Sequence, residues 1–174
     1  MAKPVIPSKA KLFVGIITSS DAFLLSTERR LISKFGKIDY KTMGIPFVHT
    51  EYYNYMGTNL YKVFLSFEKL IKRDSIVKIK HFSNRIENKV SGKGRRRVNV
   101  DPGYLTLSNV YLATCKDFFH RVYLSKGIYL ENEYKFVGRK YHPWEWTYPD
   151  YLQYQYLDFF HRMRDIYRNQ LRMG

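Results

Sequence analysis

Lys11-Leu12-Phe13-Val14-Gly15-Ile16-Ile17-Thr18-Ser19-Ser20-Asp21 is the stretch whose reading decides the fold. The run from Lys11 to Ile17 has no polar break after its first residue, so it predicts a central strand buried on both faces. Thr18-Ser19-Ser20-Asp21 then supplies helix-opening residues. A helix is expected to Phe35, with Leu24, Leu31, Ile32 and Phe35 on one face and Gly36 as its stop. Lys37 to Met43 reads as a second strand, closed by Gly44 and Pro46, and His49 to Gly57 as a tyrosine-rich loop. From Leu60 to Glu68 the pattern alternates, and Tyr61, Val63, Leu65 and Phe67 share a face of a third strand. Asp74 to Val90 predicts a second helix, because Ile76, Ile79, Phe82, Ile86 and Val90 form one stripe at about 100° per residue. Ser91-Gly92-Lys93-Gly94 breaks the chain. Arg95 to Asp101 is expected as a fourth strand, ended by Pro102-Gly103. The order β-α-β-β-α-β predicts an α+β fold with a ferredoxin-like core, an antiparallel sheet carrying both helices on one face.

The remainder reads as an extension of that core. Leu105 to Thr114 fits strand or helix equally. Phe118 to Leu124 and Ile128 to Val137 form a hairpin around Ser125-Lys126-Gly127. Pairing Leu124 with Ile128 sets Arg121 opposite Glu131 and His120 opposite Asn132. His142 to Pro149 reads as irregular. Asp150 is the expected N-cap of a last helix to Leu171, with Leu152, Tyr156, Phe159, Phe160, Met163, Ile166 and Tyr167 inside. The organisation expected is one domain over 1–174: an extended segment at 1–10, the core at 11–104, and the hairpin and helix at 105–174.

With 174 residues, 45% of them hydrophobic and 17% aromatic, the chain has material for a packed core. A single cysteine, Cys115, excludes an internal disulfide. No stretch reaches the roughly 18 apolar residues a membrane helix needs, and Met1 to Lys9 has no signal-like apolar run. The expectation is a soluble cytoplasmic protein with no membrane partner.

Thirty Lys and Arg face fifteen Asp and Glu, a net charge of +15. The excess is uneven: +13 over residues 1–100 (20 basic, 7 acidic) against +2 over 101–174 (10 and 8). The densest block, Lys69 to Arg97, holds 11 basic residues and two acids. Lys78, His81, Arg85 and Lys89 line one side of the second predicted helix, and Lys93, Arg95, Arg96 and Arg97 follow it. Such a field attracts phosphate-bearing partners, a nucleotide or RNA, although a solvated basic face reads the same way. The acid–base candidates are Asp101, Lys116, Asp117, His120, Arg121 and Glu131. Histidine beside carboxylate serves general base chemistry, and lysine and arginine stabilise phosphoryl charge. Against this, Asp101 before Pro-Gly suits a turn, and Arg121–Glu131 suits a cross-strand ion pair. Three functions therefore stay open: a binding module for a phosphate-bearing ligand, an enzyme acting on a phosphorylated small molecule through Asp101, Lys116, His120 and Arg121, or a scaffold. An exposed aromatic patch near Trp144 and Trp146 would favour the last. The five histidines are scattered, so no metal site is expected. No cofactor motif is legible, and neither a Walker P-loop nor N-K-x-D occurs. Glu131-x-Glu133-x-Lys135 matches the motif of triphosphate tunnel enzymes, but it lies late in the chain and is read as coincidence.

Ser66-Phe67-Glu68, Asn99-Val100-Asp101-Pro102-Gly103-Tyr104-Leu105, Leu112-Ala113-Thr114 with Lys116-Asp117, His120-Arg121, Gly127-Ile128 and Trp146-Thr147-Tyr148-Pro149-Asp150-Tyr151 together resemble an uncharacterised prokaryotic family, domain of unknown function 4416. The resemblance runs from Leu12-Phe13-Val14-Gly15 to Gln170-Leu171. It implies a family whose members are sometimes labelled GTP-binding proteins. It also places Asp101, Lys116, His120 and Arg121 first among the residues to test.

Overall fold

Strand β1 (Lys11–Thr18) is the axis of the fold, and all of its residues are buried. The computed structural model describes residues 1–48, 50–91 and 95–173. On one side β1 pairs antiparallel with β4 (Tyr61–Phe67), and on the other with β5 (Val98–Leu105). Outside β4 lie β2 (Ile38–Lys41) and the short β3 (Ile45–Pro46). Beyond β5 come β6 (Asn109–Thr114), β8 (Ile128–Val137) and β7 (Val122–Ser125), while β9 (Lys140–Pro143) also pairs β8. Among the described residues these nine strands make one sheet, in the order β2-β4-β1-β5-β6-β8-β7 with β3 and β9 beside the path. All the strand pairings are antiparallel.

Alternation along β1 sends side chains to two different cores. Leu12, Val14 and Ile16 meet Leu24 and Leu31 of α1 (Asp21–Phe35) and Ile76, Ile79 and Ile86 of α2 (Ile76–Val90). Phe13 points the other way, into an aromatic core under α3 (Tyr154–Met173). There Phe64 stacks on Phe159 at 5.0 Å between ring centres and meets Tyr156 edge-on at 4.6 Å. The sheet is thus covered by α1 and α2 on one face and by α3 on the other. Burying each such large apolar side chain contributes about 1.5–3 kcal/mol. Gly103 makes the fit possible: a Cβ there would stand 2.3 Å from both the Phe13 ring and the Tyr111 carbonyl.

The α+β class is as expected. The sheet is larger than the expected core, because the strands of the extension, the expected hairpin among them, continue it. Pro102-Gly103 does not end β5, since Val14 pairs with Pro102 and Lys11 with Leu105. The backbone N–H of Val100 points away from β1 and donates to Glu87 at 2.7 Å. Pro102, two residues on, turns its nitrogen the same way, so its missing N–H removes no bond to β1. The ambiguous stretch from Leu105 resolves as the end of β5, a turn and β6.

The β7–β8 hairpin closes on a two-residue loop, Lys126-Gly127, with φ values of 52° and 73°, rather than on three residues. An irregularity between Tyr123 and Ser125 then restores the expected register, with Val122 opposite Leu130. β9 takes the first two residues of the region read as irregular, His142 and Pro143, and is joined to β8 by Gly138-Arg139, again with positive φ at both. Asp150 does not cap α3. It lies in a 3-10 turn, Pro149–Leu152, ahead of the helix. The helix buries Tyr156, Phe159, Phe160, Met163 and Tyr167, but Leu152 is exposed.

Candidate functional site

Glu131, on β8, gathers the hairpin's polar groups around one buried carboxylate. Arg121 donates from Nε to its Oε2 at 2.8 Å, and His120 Nε2 lies 2.9 Å from its Oε1. The Glu131 side chain is 1% exposed, Arg121 8% and His120 5%. The expected Arg121–Glu131 pair is therefore present, and it is buried. His120, expected opposite Asn132, reaches the same carboxylate. Arg121 also donates from Nη1 to the Lys116 carbonyl at 3.0 Å and from Nη2 to the Tyr148 hydroxyl at 2.8 Å. Three of its five N–H donors are thus used, and two remain. The loop before β7 is held by the Arg121 amide on the Phe118 carbonyl and the Lys116 amide on the Thr114 hydroxyl.

These residues open onto a cleft of about 460 Å³. Lys116, His120 and Arg121 line it with Phe118, Phe119 and Tyr148, and Glu145 and Trp146 close it. The His120 ring lies flat on Trp146, 5.1 Å between centres and 9° between planes. Trp146 in turn lies on Trp144 at 5.2 Å, and the Lys135 ammonium sits 4.6 Å above Trp144. The Trp146 indole N–H donates to the Asn132 carbonyl at 3.0 Å, which fixes the ring. Lys116 is exposed and stands 4.4 Å over the Tyr52 ring. The cleft therefore combines flat aromatic walls with two cations. A larger groove of about 1110 Å³, beside the start of α1 and β3, contains none of the basic-block or acid–base candidates, although Asp21 lines it.

Asp101 does not line the cleft. It accepts from Lys80 at 2.9 Å and from the Asn99 side-chain amide, and Arg96 donates to Asn99 at 2.9 Å. It is thus a mid-strand residue facing Gly15 rather than a turn former. Burial pushes its carboxyl up, but the Lys80 ammonium outweighs this and holds it below the usual carboxylate range. Burial likewise opposes the Lys80 charge, yet Asp101 and Glu87 leave its ammonium raised. Glu87 is pushed up by burial and by Asp101. The Tyr148 hydroxyl accepts from Arg121, and burial, with the charges of Glu131 and Asp101 nearby, pushes it up to about 12.

Behind the cleft, Lys62 donates to Asp150 at 2.8 Å, both side chains buried. Gly15 leaves room for this lysine, since a Cβ there would lie 3.1 Å from Lys62 Cε. Glu133 is also buried, and its two oxygens find no partner in hydrogen-bonding geometry, although the Tyr148 amide is close. Burial and the neighbouring Glu131 charge push its carboxyl well above the usual range. Lys135 does not join Glu131 and Glu133. Among the described residues, no group of three His, Cys, Asp or Glu side chains is placed to hold a metal ion.

The basic block is divided. Lys78, Arg85 and Lys89 are exposed on α2, and Arg95 is exposed after it. His81 is half-buried, with a buried Nε2 that has no partner. Arg96 turns inward to Glu87 at 3.4 Å, and Arg97 is half-buried. Lys93 lies outside the described residues. Sequence reading missed Lys62, Lys80, Glu133, Tyr148 and Asp150. One signal was available for Lys80: it falls at 100° per residue inside the apolar arc of α2, where a lysine needs a buried partner.

A family profile described as "Domain of unknown function (DUF4416)" matches residues 8–167, so the chain belongs to that family. No curated protein and no solved structure gave a significant match. Among the described residues, no helix is long and apolar enough to cross a membrane.

Proposed function

We propose that this member of the DUF4416 family binds a small phosphate-bearing ligand, a nucleotide, in the cleft between the β7–β8 hairpin and Trp146. One observation carries the reading: Lys116, His120 and Arg121 converge on a single cleft whose walls are aromatic. Cations there match phosphate oxygens, and Arg121 keeps two N–H donors to offer as a fork. Exposed ring faces such as Phe119 suit a stacked base. Asp101 is already engaged by Lys80, so an enzyme built on all four sequence candidates has less support than a site built on three. The strand order β2-β4-β1-β5, with α1 and α2 on one face, supports reading the first half as a ferredoxin-like unit onto which the cleft-bearing strands are added.

Calorimetric titration with ATP and with inorganic tripolyphosphate tests the proposal. Saturable binding is expected for both, tighter for ATP because of stacking. Lys116→Ala should weaken both, and Phe119→Ala should weaken ATP alone. Absence of saturable binding by either probe at low salt would remove the reading. A second reading, RNA along α2, is favoured by the exposure of Lys78, Arg85, Lys89 and Arg95. It requires affinity that falls steeply with salt and is lost in a Lys78→Glu, Arg85→Glu, Lys89→Glu variant with the cleft intact.

A further inference from the structure

We propose that the segment 3–7 of one copy of this chain docks in the groove beside the start of α1 and β3 of a second copy, so that two copies pair by exchanging these segments. The groove is separate from the cleft, and the pairing does not depend on the phosphate-ligand reading.

The groove, of about 1110 Å³, is lined by Leu24, Phe47, Leu60 and Tyr61. Met43 and Val48 line it too, and they are 87% and 81% exposed. Large apolar side chains left open around one concavity mark a docking surface, whereas single exposed ones do not. The charge of the groove is acidic, in a chain of net charge +15. Asp21 and Glu51 line it, and both are exposed. Lys41, the lysine that lines it, is paired with Glu28 at 2.5 Å. The fitting occupant is therefore apolar and basic.

The chain itself supplies such a segment. Lys3-Pro4-Val5-Ile6-Pro7 carries a lysine and no acid, and Val5 and Ile6 are 85% and 92% exposed. The residues after it are anchored. The Ser8 carbonyl accepts from Arg73 at 3.1 Å, the Lys9 carbonyl from the Tyr167 hydroxyl at 2.5 Å, and Ala10 pairs with Ile71. Each proline fixes its own φ and drives the residue before it, Lys3 or Ile6, toward extended backbone. The segment is thus set in a polyproline-like form before it binds, which lowers the ordering cost. Segments of this kind dock in grooves with aromatic walls, here Phe47 and Tyr61. Lys3 complements Asp21 and Glu51.

Reach decides whose groove is filled. Tyr61 lies opposite Thr18, at the end of β1 far from Ala10. The strand path from Ala10 to Thr18 covers about 26 Å. Ile6 and Val5, four and five residues before Ala10, reach at most about 14 and 18 Å from it. The apolar pair therefore cannot lie beside Tyr61 of its own chain, and a second copy is needed to bring the two together. Two copies that exchange segments fill both grooves and close the assembly.

The test uses the full chain at about 0.15 M salt, where repulsion between the basic copies is screened beyond about 8 Å. In sedimentation velocity, the wild-type coefficient should rise with concentration toward that of a pair. The rise should be lost in a Val5→Asp, Ile6→Asp variant and in a Met43→Lys, Val48→Lys variant. All four positions are exposed, so the melting temperature should stay at the wild-type value. Disulfide trapping in a Cys115→Ser background then identifies the contact. Val5→Cys chains should crosslink to Val48→Cys chains faster than to Tyr154→Cys chains, whose residue is 77% exposed but outside the groove. A chain carrying both Val5→Cys and Val48→Cys should crosslink between copies and not within itself. The inference is wrong if the wild type stays monomeric at every concentration, or if pairing survives in both multiple variants. Equal trapping by Val48→Cys and Tyr154→Cys, or a disulfide closed within one chain, also overturns it. The ATP and tripolyphosphate titrations bear on the cleft alone and leave this result untouched.

Discussion

Replacing Arg121 with methionine separates scaffold from ligand contact. The guanidinium makes three hydrogen bonds, at 2.8, 3.0 and 2.8 Å, to Glu131, the Lys116 carbonyl and the Tyr148 hydroxyl. An exposed ion pair contributes only about 0–1 kcal/mol. This pair is not exposed, because both side chains are more than nine-tenths buried. Methionine keeps most of the packing volume and removes the charge, which leaves Glu131 with His120 as its remaining side-chain partner. Removing one partner from a buried pair costs about 3–5 kcal/mol, chiefly because the other charge stays buried. In a chain of this length each kcal/mol shifts the melting temperature by about 2–4 °C, so a fall of about 6–20 °C is expected. Urea unfolding should show a lower midpoint with an unchanged slope. Glu131→Gln should also destabilise, and the double variant should cost less than the two singles added. A single-variant loss below about 1 kcal/mol would show that the buried clasp is not structural, and Arg121 would then be a ligand contact only.

Other substitutions probe the supporting layers. Glu133→Gln replaces a carboxyl whose folded-state affinity for protons is raised by burial. Such a group stabilises the fold most below its unfolded value, near 4.3, and that contribution is lost as pH rises toward the folded value. Urea unfolding should therefore find Glu133→Gln more stable than wild type at pH 8, with the gap shrinking at pH 4.5; a gap that widens at low pH would contradict the assignment. Asp101→Asn should behave in the opposite sense, because Lys80 depresses that carboxyl: its cost should be present at neutral pH and fade in acid. Gly103→Ala should cost more than about 1–3 kcal/mol by driving a methyl into Phe13 and the Tyr111 carbonyl. Gly15→Ala should cost less, since its nearest neighbours, Lys62 Cε at 3.1 Å and the Phe64 ring at 3.2 Å, stand farther off than those of Gly103, and equal losses at the two glycines would refute the packing argument.

Much of the first half of the fold was legible because its elements follow simple periods. The α1 stop at Gly36, with φ 89°, and the limits of β4 came from local chemistry alone. Pro102-Gly103 misled because both residues usually punctuate a chain. Their tolerance inside β5 depends on non-local facts: which way the Pro102 nitrogen points, and the Phe13 ring that needs Gly103 bare. β9 was missed for a related reason, since four residues carry too little pattern to announce a strand without the neighbour they pair with. In the β7–β8 hairpin, the turn length was misread and the register still came out right, because the irregularity at Tyr123 offsets the shorter loop.

The site was legible in part for a different reason. Lys116, His120 and Arg121 stand together in the sequence, so any turn there keeps them close. Asp101 shares no such constraint, and its partner Lys80 comes from the helix on the other face of the sheet. Trp146 and Tyr148, which line the cleft, and Asp150, which does not, come from a segment with little regular pattern of its own. Their places follow from anchors that periodicity cannot reveal: Trp146 on the Asn132 carbonyl, Tyr148 on Arg121, and Asp150 on Lys62. Those anchors also bear on function. A cleft whose walls were set only by the hairpin would be as mobile as the hairpin. Here two polar wall residues are tied to other elements, His120 to β8 through Glu131, and Arg121 to β8 through Glu131 and to the α3 approach through Tyr148. Such cross-ties hold donors in place before a ligand arrives, which lowers the ordering cost of binding. The Lys116 side chain, exposed and set over the Tyr52 ring, is the wall cation that the proposed phosphate would have to draw in.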